Sequence, residues 1–398
     1  MKSIVPKTTQ APASPSRRRF IELVGGGAVV CAVPLASGCS TNMPAAAVAA
    51  WQLPADTLDL RRYMLAHALL APNPHNRQPW LADLQRANEI TLICDKDRLL
   101  PETDPFGRQI VVGCGAFIEL AVMAAAQRGY RVQVQLFPDG EPDTAKLPGG
   151  SKIARLVLIP DAAVMPDPLL GQVALRRTNK GAYDNARPVA PEQWSQLMSA
   201  GRDFGLLSGS VTQTSLVQSV RDITRASYEL ETVTPRTWLE SGRLIRMGPS
   251  AIEKNRDGIS IMGVMPRLLT AVGLFDPLDV PVKGDSSHKR MMERWAAFET
   301  GSGYFWLASK GNTRSAQVSS GRAYVRAQLM ATAAGLSMHP VSQALQEFAE
   351  VAQPYQALHR LLGFDSAANT VHMLARVGYP LAASGPTPRR DLATMLQV

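Results

Sequence analysis

Cysteine is scarce in this 398-residue chain, which has only Cys31, Cys39, Cys94 and Cys114. Two of the four fall within the first 40 residues, so the remainder cannot carry a disulfide framework. Cys94 and Cys114, on an expected strand and an expected helix, read as small buried thiols. Histidine is thin as well. His67, His75, His288, His339, His359 and His372 are scattered, no two stand at metal-ligand spacing, and no metal site is expected. Neither a glycine-rich nucleotide loop nor a Gly-x-Ser-x-Gly elbow is present, so the usual signatures of dinucleotide folds, P-loop enzymes and α/β-hydrolases are missing. Outside the N-terminus there is no dense run of Lys and Arg, and none interleaved with aromatics as a strand-tracking groove requires. Nucleic acid is therefore not an expected partner. The net charge of +9 does not change this: Lys2, Lys7, Arg17, Arg18 and Arg19 against Glu22 give the first 38 residues +4, which leaves a mild +5 for the rest.

With 45% hydrophobic and 19% charged residues, the composition is that of a globular protein long enough for one large or two ordinary domains. Its first 38 residues read as an export leader. Ser16-Arg17-Arg18-Arg19-Phe20-Ile21 precedes an apolar stretch, Leu23 to Leu35, that is softened by Gly25, Gly26 and Gly27 and too short to span a bilayer. The order Ser-Arg-Arg-x-Phe resembles a twin-arginine signal, which implies the twin-arginine translocase as partner, export in the folded state, and a periplasmic or cell-envelope location. Leu35-Ala36-Ser37-Gly38-Cys39 resembles a lipobox, with Cys39 as the acylated residue and a lipid anchor in the membrane. The leucine stands one place further from the cysteine than usual, so simple cleavage and release is the alternative. Residues 39–56, rich in Ala with Pro44 and Pro54, are expected to form a tether.

Beyond the tether, periodicity predicts a helix within Leu58 to Ala71, cut off by Pro72 and Pro74, then a strand from Glu89 to Cys94. An Ala-rich helix follows over Arg108 to Arg128, closed by Gly129, and then a strand from Tyr130 to Phe137. That strand has the clearest pattern in the chain: Tyr130, Val132, Val134 and Leu136 alternate with Arg131, Gln133 and Gln135. Ile153 to Ile159 reads as a more buried strand. A Pro-rich break at Pro160, Pro166 and Pro168 suggests two lobes, 57–170 and 171–398. The second is expected to hold helices from Pro191 to about Leu239, an irregular insertion over about 240–300, a strand from Tyr304 to Ser309, a helix from Ser315 to Ala334 and a strand from Val371 to Tyr379. Strands packed with long helices, without strict alternation, predict an α+β class.

Four strings carry candidate chemistry. Ala71-Pro72-Asn73-Pro74-His75-Asn76-Arg77-Gln78-Pro79-Trp80 is a stiff loop in which Asn76 and Gln78 offer paired donors and acceptors for a planar heterocycle. Leu175-Arg176-Arg177-Thr178-Asn179-Lys180-Gly181-Ala182-Tyr183 gathers guanidinium, hydroxyl and ammonium donors suited to a phosphate dianion. Which of Arg176 and Arg177 points inward is open at this level. Gly335-Leu336-Ser337-Met338-His339-Pro340 turns out of the second long helix, and Pro386-Thr387-Pro388-Arg389-Arg390 supplies a late basic pair.

In this order the strings resemble the nitroreductase family: its Gln-Pro-Trp loop, its Arg-x-Ser-x-Arg phosphate-binding start, its Gly-Leu turn over the flavin, and its closing basic segment. Thr178 and Lys180 replace the family's serine and second arginine, and Met338-His339 stands where many members place Glu-Gly. The resemblance covers residues 57 to 398 and points to the two-lobed, Acg-like branch, in which one chain imitates the usual homodimer. It implies bound FMN held through its phosphate by Arg176, Arg177, Thr178, Lys180 and Arg389. Asn76 and Gln78 would hold the ring or ribityl chain, and Ser337, Met338 and His339 would border the reactive face. No side chain is expected to be catalytic in its own right, since the flavin carries the chemistry. The implied activity passes hydride from NAD(P)H or another donor to a nitroaromatic, quinone or similar small acceptor. Flavin sequestration or storage beneath a lid-like insertion is the other reading that the branch implies.

Overall fold

The computed structural model describes residues 43–53, 59–273 and 275–397. The leader and Cys39 lie outside the described residues, as does part of the 39–56 segment. The described chain is α+β and carries two antiparallel-dominated sheets, which divide near the Pro-rich break. The first has the order β11-β1-β2-β4-β3, from β1 (Trp80–Asp83), β2 (Glu89–Cys94), β3 (Tyr130–Leu136), β4 (Lys152–Pro160) and β11 (Leu396–Gln397). Its pairs are antiparallel except β11, which returns from the far end of the chain to lie parallel beside β1. The second has the order β5-β8-β10-β9, from β5 (Leu207–Val211), β8 (Gly303–Lys310), β9 (Ser337–Pro340) and β10 (Asn369–Gly378), all antiparallel.

Each sheet is backed by a long helix, Arg108–Gln127 or Arg314–Ala333. The first is long and apolar enough to cross a membrane, yet here it is buried as a core element. The second is N-capped by Thr313, whose side chain accepts from the Ala316 amide at 3.1 Å, and it ends at Gly335 with φ 70°. These two helices pack on each other, and glycines set how closely. A Cβ on Gly115 would lie 2.1 Å from the Val318 carbonyl oxygen, and one on Gly321 would lie 1.8 Å from that of Val112. Val318, Val325 and Leu329 of the second helix join the first core, and Val112 of the first helix joins the second.

Several expectations are adjusted. The stretch from Pro191 to Leu239 is not all helix: Pro191–Arg202, Thr214–Val233 and Pro235–Arg243 are helical, but Leu207–Val211 is a strand at the sheet edge. Leu207-Ser208-Gly209-Ser210-Val211 has weak strand propensity of its own and is held by tertiary fit, because Gly209 leaves room for the Trp306 ring, 2.1 Å from where a Cβ would be. The strand at Val371 is buried on both faces, so its apparent alternation does not mark a solvent side: His372 and Arg376 are buried along with Val371 and Val377. The segment read as tether contains two helical turns, Ala45–Val48 and Ala49–Trp51, with Ala47 and Trp51 buried.

Candidate functional site

A cavity opens where the two halves meet. One wall is the loop Pro72 to His75 with residues Gln109, Val112, Gly113 and Ala116 of the first long helix. The opposite wall carries Thr178, Lys180, Glu231, Tyr324 and His339. The loop is conformationally costly. His75, Asn76 and Gln78 have φ of 47°, 50° and 51°, the left-handed region that non-glycine residues avoid. It is stabilised from within by the Asn73 side-chain oxygen, which accepts from the Gln78 amide at 2.7 Å. From below, Gly113 lets Asn73 sit close to the helix, since a Cβ there would be 3.1 Å from that of Asn73.

Polar atoms without partners crowd this cavity. His75 Nδ1, Gln109 Nε2, Glu231 Oε2, Tyr324 Oη, Gln346 Oε1 and His372 Nδ1 are buried and unpaired, and all six residues line it. Such atoms are few in native proteins, and their clustering marks a place where a polar ligand completes the bonding. Burial, together with Lys180 and Arg77, lowers His75 to about 4, so its ring is neutral near pH 7. Burial and Arg376 push His339 well below its ordinary value, and burial pushes the Glu231 carboxyl and the Tyr324 phenol up. Lys180 keeps accessible surface along the cavity, and crowding by the walls and by Arg294 lowers its ammonium despite the attraction of Glu231. His339 is oriented by Arg376, whose Nε donates to its Nδ1 at 3.0 Å, and by an edge-on contact with Phe298 at 4.6 Å.

Behind the loop stands a cluster of three arginines. Arg176 donates to Gln328 at 3.1 Å and to the Leu70 carbonyl at 3.0 Å; Arg389 donates to the Leu70 and Ala71 carbonyls at 3.3 Å and to Asn76. Arg177 donates to the Ala174 carbonyl at 2.8 Å. No carboxylate among the described residues forms an ion pair with any of the three, and the Nε of both Arg176 and Arg389 is buried without a partner. Burial lowers Arg176 to about 10, while burial with the neighbouring guanidiniums lowers Arg389 well below its usual range. Gln328 also reaches Thr178 Oγ1 at 3.4 Å, which links the cluster to the cavity wall.

The sequence-derived candidates thus separate into three groups. Thr178, Lys180 and His339 line the cavity, and Arg176, Arg177 and Arg389 gather at the cluster. Asn76 and Gln78 are not among the lining residues, because their amides are spent elsewhere. Asn76 donates to the Pro388 carbonyl at 3.0 Å, and Gln78 donates to the Arg256 carbonyl at 2.7 Å and accepts from the Arg390 amide at 2.8 Å. Met338 is buried in the second core, and Ser337 pairs with Gly378 at the end of β9. The sequence reading did not single out Glu231, Tyr324, Gln109, Gln346 or His372. Glu231 and Tyr324 lie on buried helix faces and reach the cavity only through the fold.

The insertion lies against the loop. Asp257 Oδ2 accepts from Arg77 at 2.8 Å and Arg98 at 3.1 Å, and its Oδ1 accepts from Arg246 at 2.8 Å. Two short parallel strands, β6 (Ile245–Met247) and β7 (Ile259–Ile261), flank this network. The Gly258 amide donates to the Asn76 carbonyl at 3.3 Å, and Glu240 accepts from Thr103 Oγ1 at 2.6 Å.

Over 345 residues, 84% of this chain and 90% of the relative, the sequence is 28% identical to a Mycobacterium tuberculosis (strain H37Rv) protein provisionally named an NAD(P)H nitroreductase. A stretch of 83 residues, 21% of this chain and 25% of the relative, is 36% identical to the provisionally named NAD(P)H nitroreductase Acg of the same organism. The chain is similar to nitroreductases. Among solved structures, an FMN-bound nitroreductase from Bacteroides fragilis aligns with 58% of this chain and 98% of its own at 10% identity and a TM-score of 0.36. The FMN-dependent nitroreductase NfnB from Mycobacterium smegmatis, in complex with NADPH, aligns with 57% and 96% at 13% identity, also at 0.36. No family model matches the chain.

Proposed function

We propose that this protein is an FMN-binding oxidoreductase of the nitroreductase type, with its flavin in the cavity between the two halves and the flavin phosphate at the arginine cluster. The observation that carries the reading is the pairing of a cavity lined by six unpaired buried polar groups with three arginines that have no carboxylate partner. A flavin mononucleotide matches this chemistry: a planar ring bearing several acceptors and one N–H, and a dianionic phosphate. The similarity to proteins named NAD(P)H nitroreductases supports the same reading. Arg176, Arg177, Arg389 and Thr178 would hold the phosphate end, Lys180 and Glu231 would meet the ring edge, and His339 would border its face. Asn76 and Gln78 would act through the loop they pin in place, and Ser337 and Met338 through β9. Bound FMN would supply hydride transfer from NAD(P)H or another donor to a nitroaromatic, quinone or similar small acceptor. The chain's own part is to bind, orient and shield, with neutral His75 and His339 adding no positive charge beside Lys180.

In the same reading the segments 57–170 and 171–398 are lobes that imitate a homodimer in the manner of the Acg-like branch. The leader directs twin-arginine export, and Cys39 carries a lipid that holds the protein in the cell envelope. Sequestration of flavin without turnover is the second reading, favoured by one observation: the insertion is locked to the loop through Asp257 and to Thr103, on the cavity wall, through Glu240.

The purified full-length protein should be yellow, and its absorbance should bleach when reduced nicotinamide is added without oxygen. Persistent yellow under those conditions would favour sequestration. Protein that is colourless and takes up no FMN would remove the central claim.

A further inference from the structure

Trp51 lies outside every motif, in the Ala-rich segment before the first helix, yet it is buried and its ring meets all three guanidiniums of the cluster. The carbon centres of Arg177, Arg389 and Arg176 stand 4.2, 5.1 and 5.5 Å from the ring centroid. Its segment is fastened on the same side of the molecule. The indole Nε1 donates to the Thr387 carbonyl at 2.8 Å, and the Arg389 amide donates to the Ala47 carbonyl at 2.9 Å.

Three like charges brought together without a carboxylate repel one another, and something must offset that in the absence of ligand. An indole face does so through its negative quadrupole. Contact through the face occupies none of the in-plane N–H groups; several of them donate to the Leu70, Ala71 and Ala174 carbonyls, Gln328 and Asn76, and those left over are the groups a phosphate can use. Arg176 Nε and Arg389 Nε are buried donors of this kind, still without partners.

We propose that Trp51 is a positioning residue for the cofactor phosphate: its ring packs against the guanidiniums of Arg176, Arg177 and Arg389, holds them in place with the Nε donors of Arg176 and Arg389 free, and so makes residues 43–53 a clasp on the phosphate site. This rests on the reading that the cluster takes the FMN phosphate. The ligand class it serves is a phosphate monoester, and the clasp contributes nothing to the ring.

The test compares FMN with riboflavin, which keeps the ring and lacks the phosphate, by fluorescence titration of the full-length apoprotein. Trp51→Ala should weaken FMN about thirty-fold and riboflavin less than about twofold. Trp51→Phe, which keeps an aromatic face but loses the bond to Thr387, should recover most of the FMN affinity and also guards against a folding defect in the alanine variant. Equal losses for both ligands, no loss for FMN, or tighter FMN binding in Trp51→Ala would each overturn the clasp. Failure of the wild-type protein to bind FMN would instead overturn the cofactor reading on which it rests.

Discussion

Replacing Asp257 with asparagine should free the insertion from the loop without unfolding the rest. The carboxylate is 7% exposed and accepts four hydrogen bonds from three arginines: one each from Arg77 and Arg98, and two from Arg246. Asparagine keeps the shape but removes the charge and one acceptor oxygen, so at least one arginine loses its bonds to this residue; Arg77 and Arg246 lose their counterion, while Arg98 keeps Asp95 at 3.2 Å. Breaking a buried ion pair costs roughly 3–5 kcal/mol. The low end, about 3, applies here because Arg98 and Arg246 keep some contact with water. If that cost falls on the local opening of the insertion, hydrogen exchange at Gly258 and Ile259 should quicken by about two decades. Their amides donate to Asn76 at 3.3 Å and to Leu244 at 2.8 Å. Amides of the β3–β4 ladder, such as those that pair Gln133 with Val157, should exchange as in the wild type. Acceleration of less than about threefold at Gly258 and Ile259 would refute the view that Asp257 is the fastener. Equal acceleration in β3–β4 would mean that the loss is global.

Gly321→Ala should lower the melting temperature by several degrees in a thermal scan, because its new methyl must push against the Val112 carbonyl oxygen at 1.8 Å and part the long helices, at a cost of about 1–3 kcal/mol or more. Gly171→Ala, where nothing lies within 4 Å, should leave it nearly unchanged. Lys180→Ala should weaken FMN in a binding titration by at least tenfold, an order-of-magnitude loss for one charged contact. Since His75 is held to about 4 in the folded state against 6.5 in the unfolded chain, its contribution to stability is present above pH 6.5 and lost as the pH falls toward 4. Denaturant titrations should therefore show the wild type losing up to roughly 2–3 kcal/mol relative to His75→Gln across that interval, and a constant difference would contradict the assignment.

Legibility in the sequence followed how local each cause is. Tyr130 to Leu136 declared itself because one face of its sheet is covered and the other is wet, and the long helices did so through Ala content and closing glycines. The strand at Leu207 did not, since a packing partner far along the chain, Trp306, decides it. At the site, Thr178, Lys180 and His339 were legible as members of strings. Glu231 was not, because nothing nearby distinguishes an acid on the helix Thr214–Val233 until the fold turns it toward Lys180. Asn76 and Gln78 stand in a loop that borders the cavity, but their amides bond to Pro388, Arg256 and Arg390, partners that no local pattern reveals. Trp51 was hidden by the Ala-rich company that made its segment look like a linker.

Segments far apart in sequence meet at the arginine cluster, and that sets an order on folding. Trp51 stands against Arg389, which follows it by 338 residues, and β11 lies beside β1 across a similar separation. Contacts of such sequence separation carry a loop-closure cost that must be met before they form, so the cluster belongs among the late features of the fold. Under the proposed reading, FMN binding then reports on completeness of the fold: a phosphate held at the cluster requires the segment around Trp51 and the segment around Arg389 to be docked together.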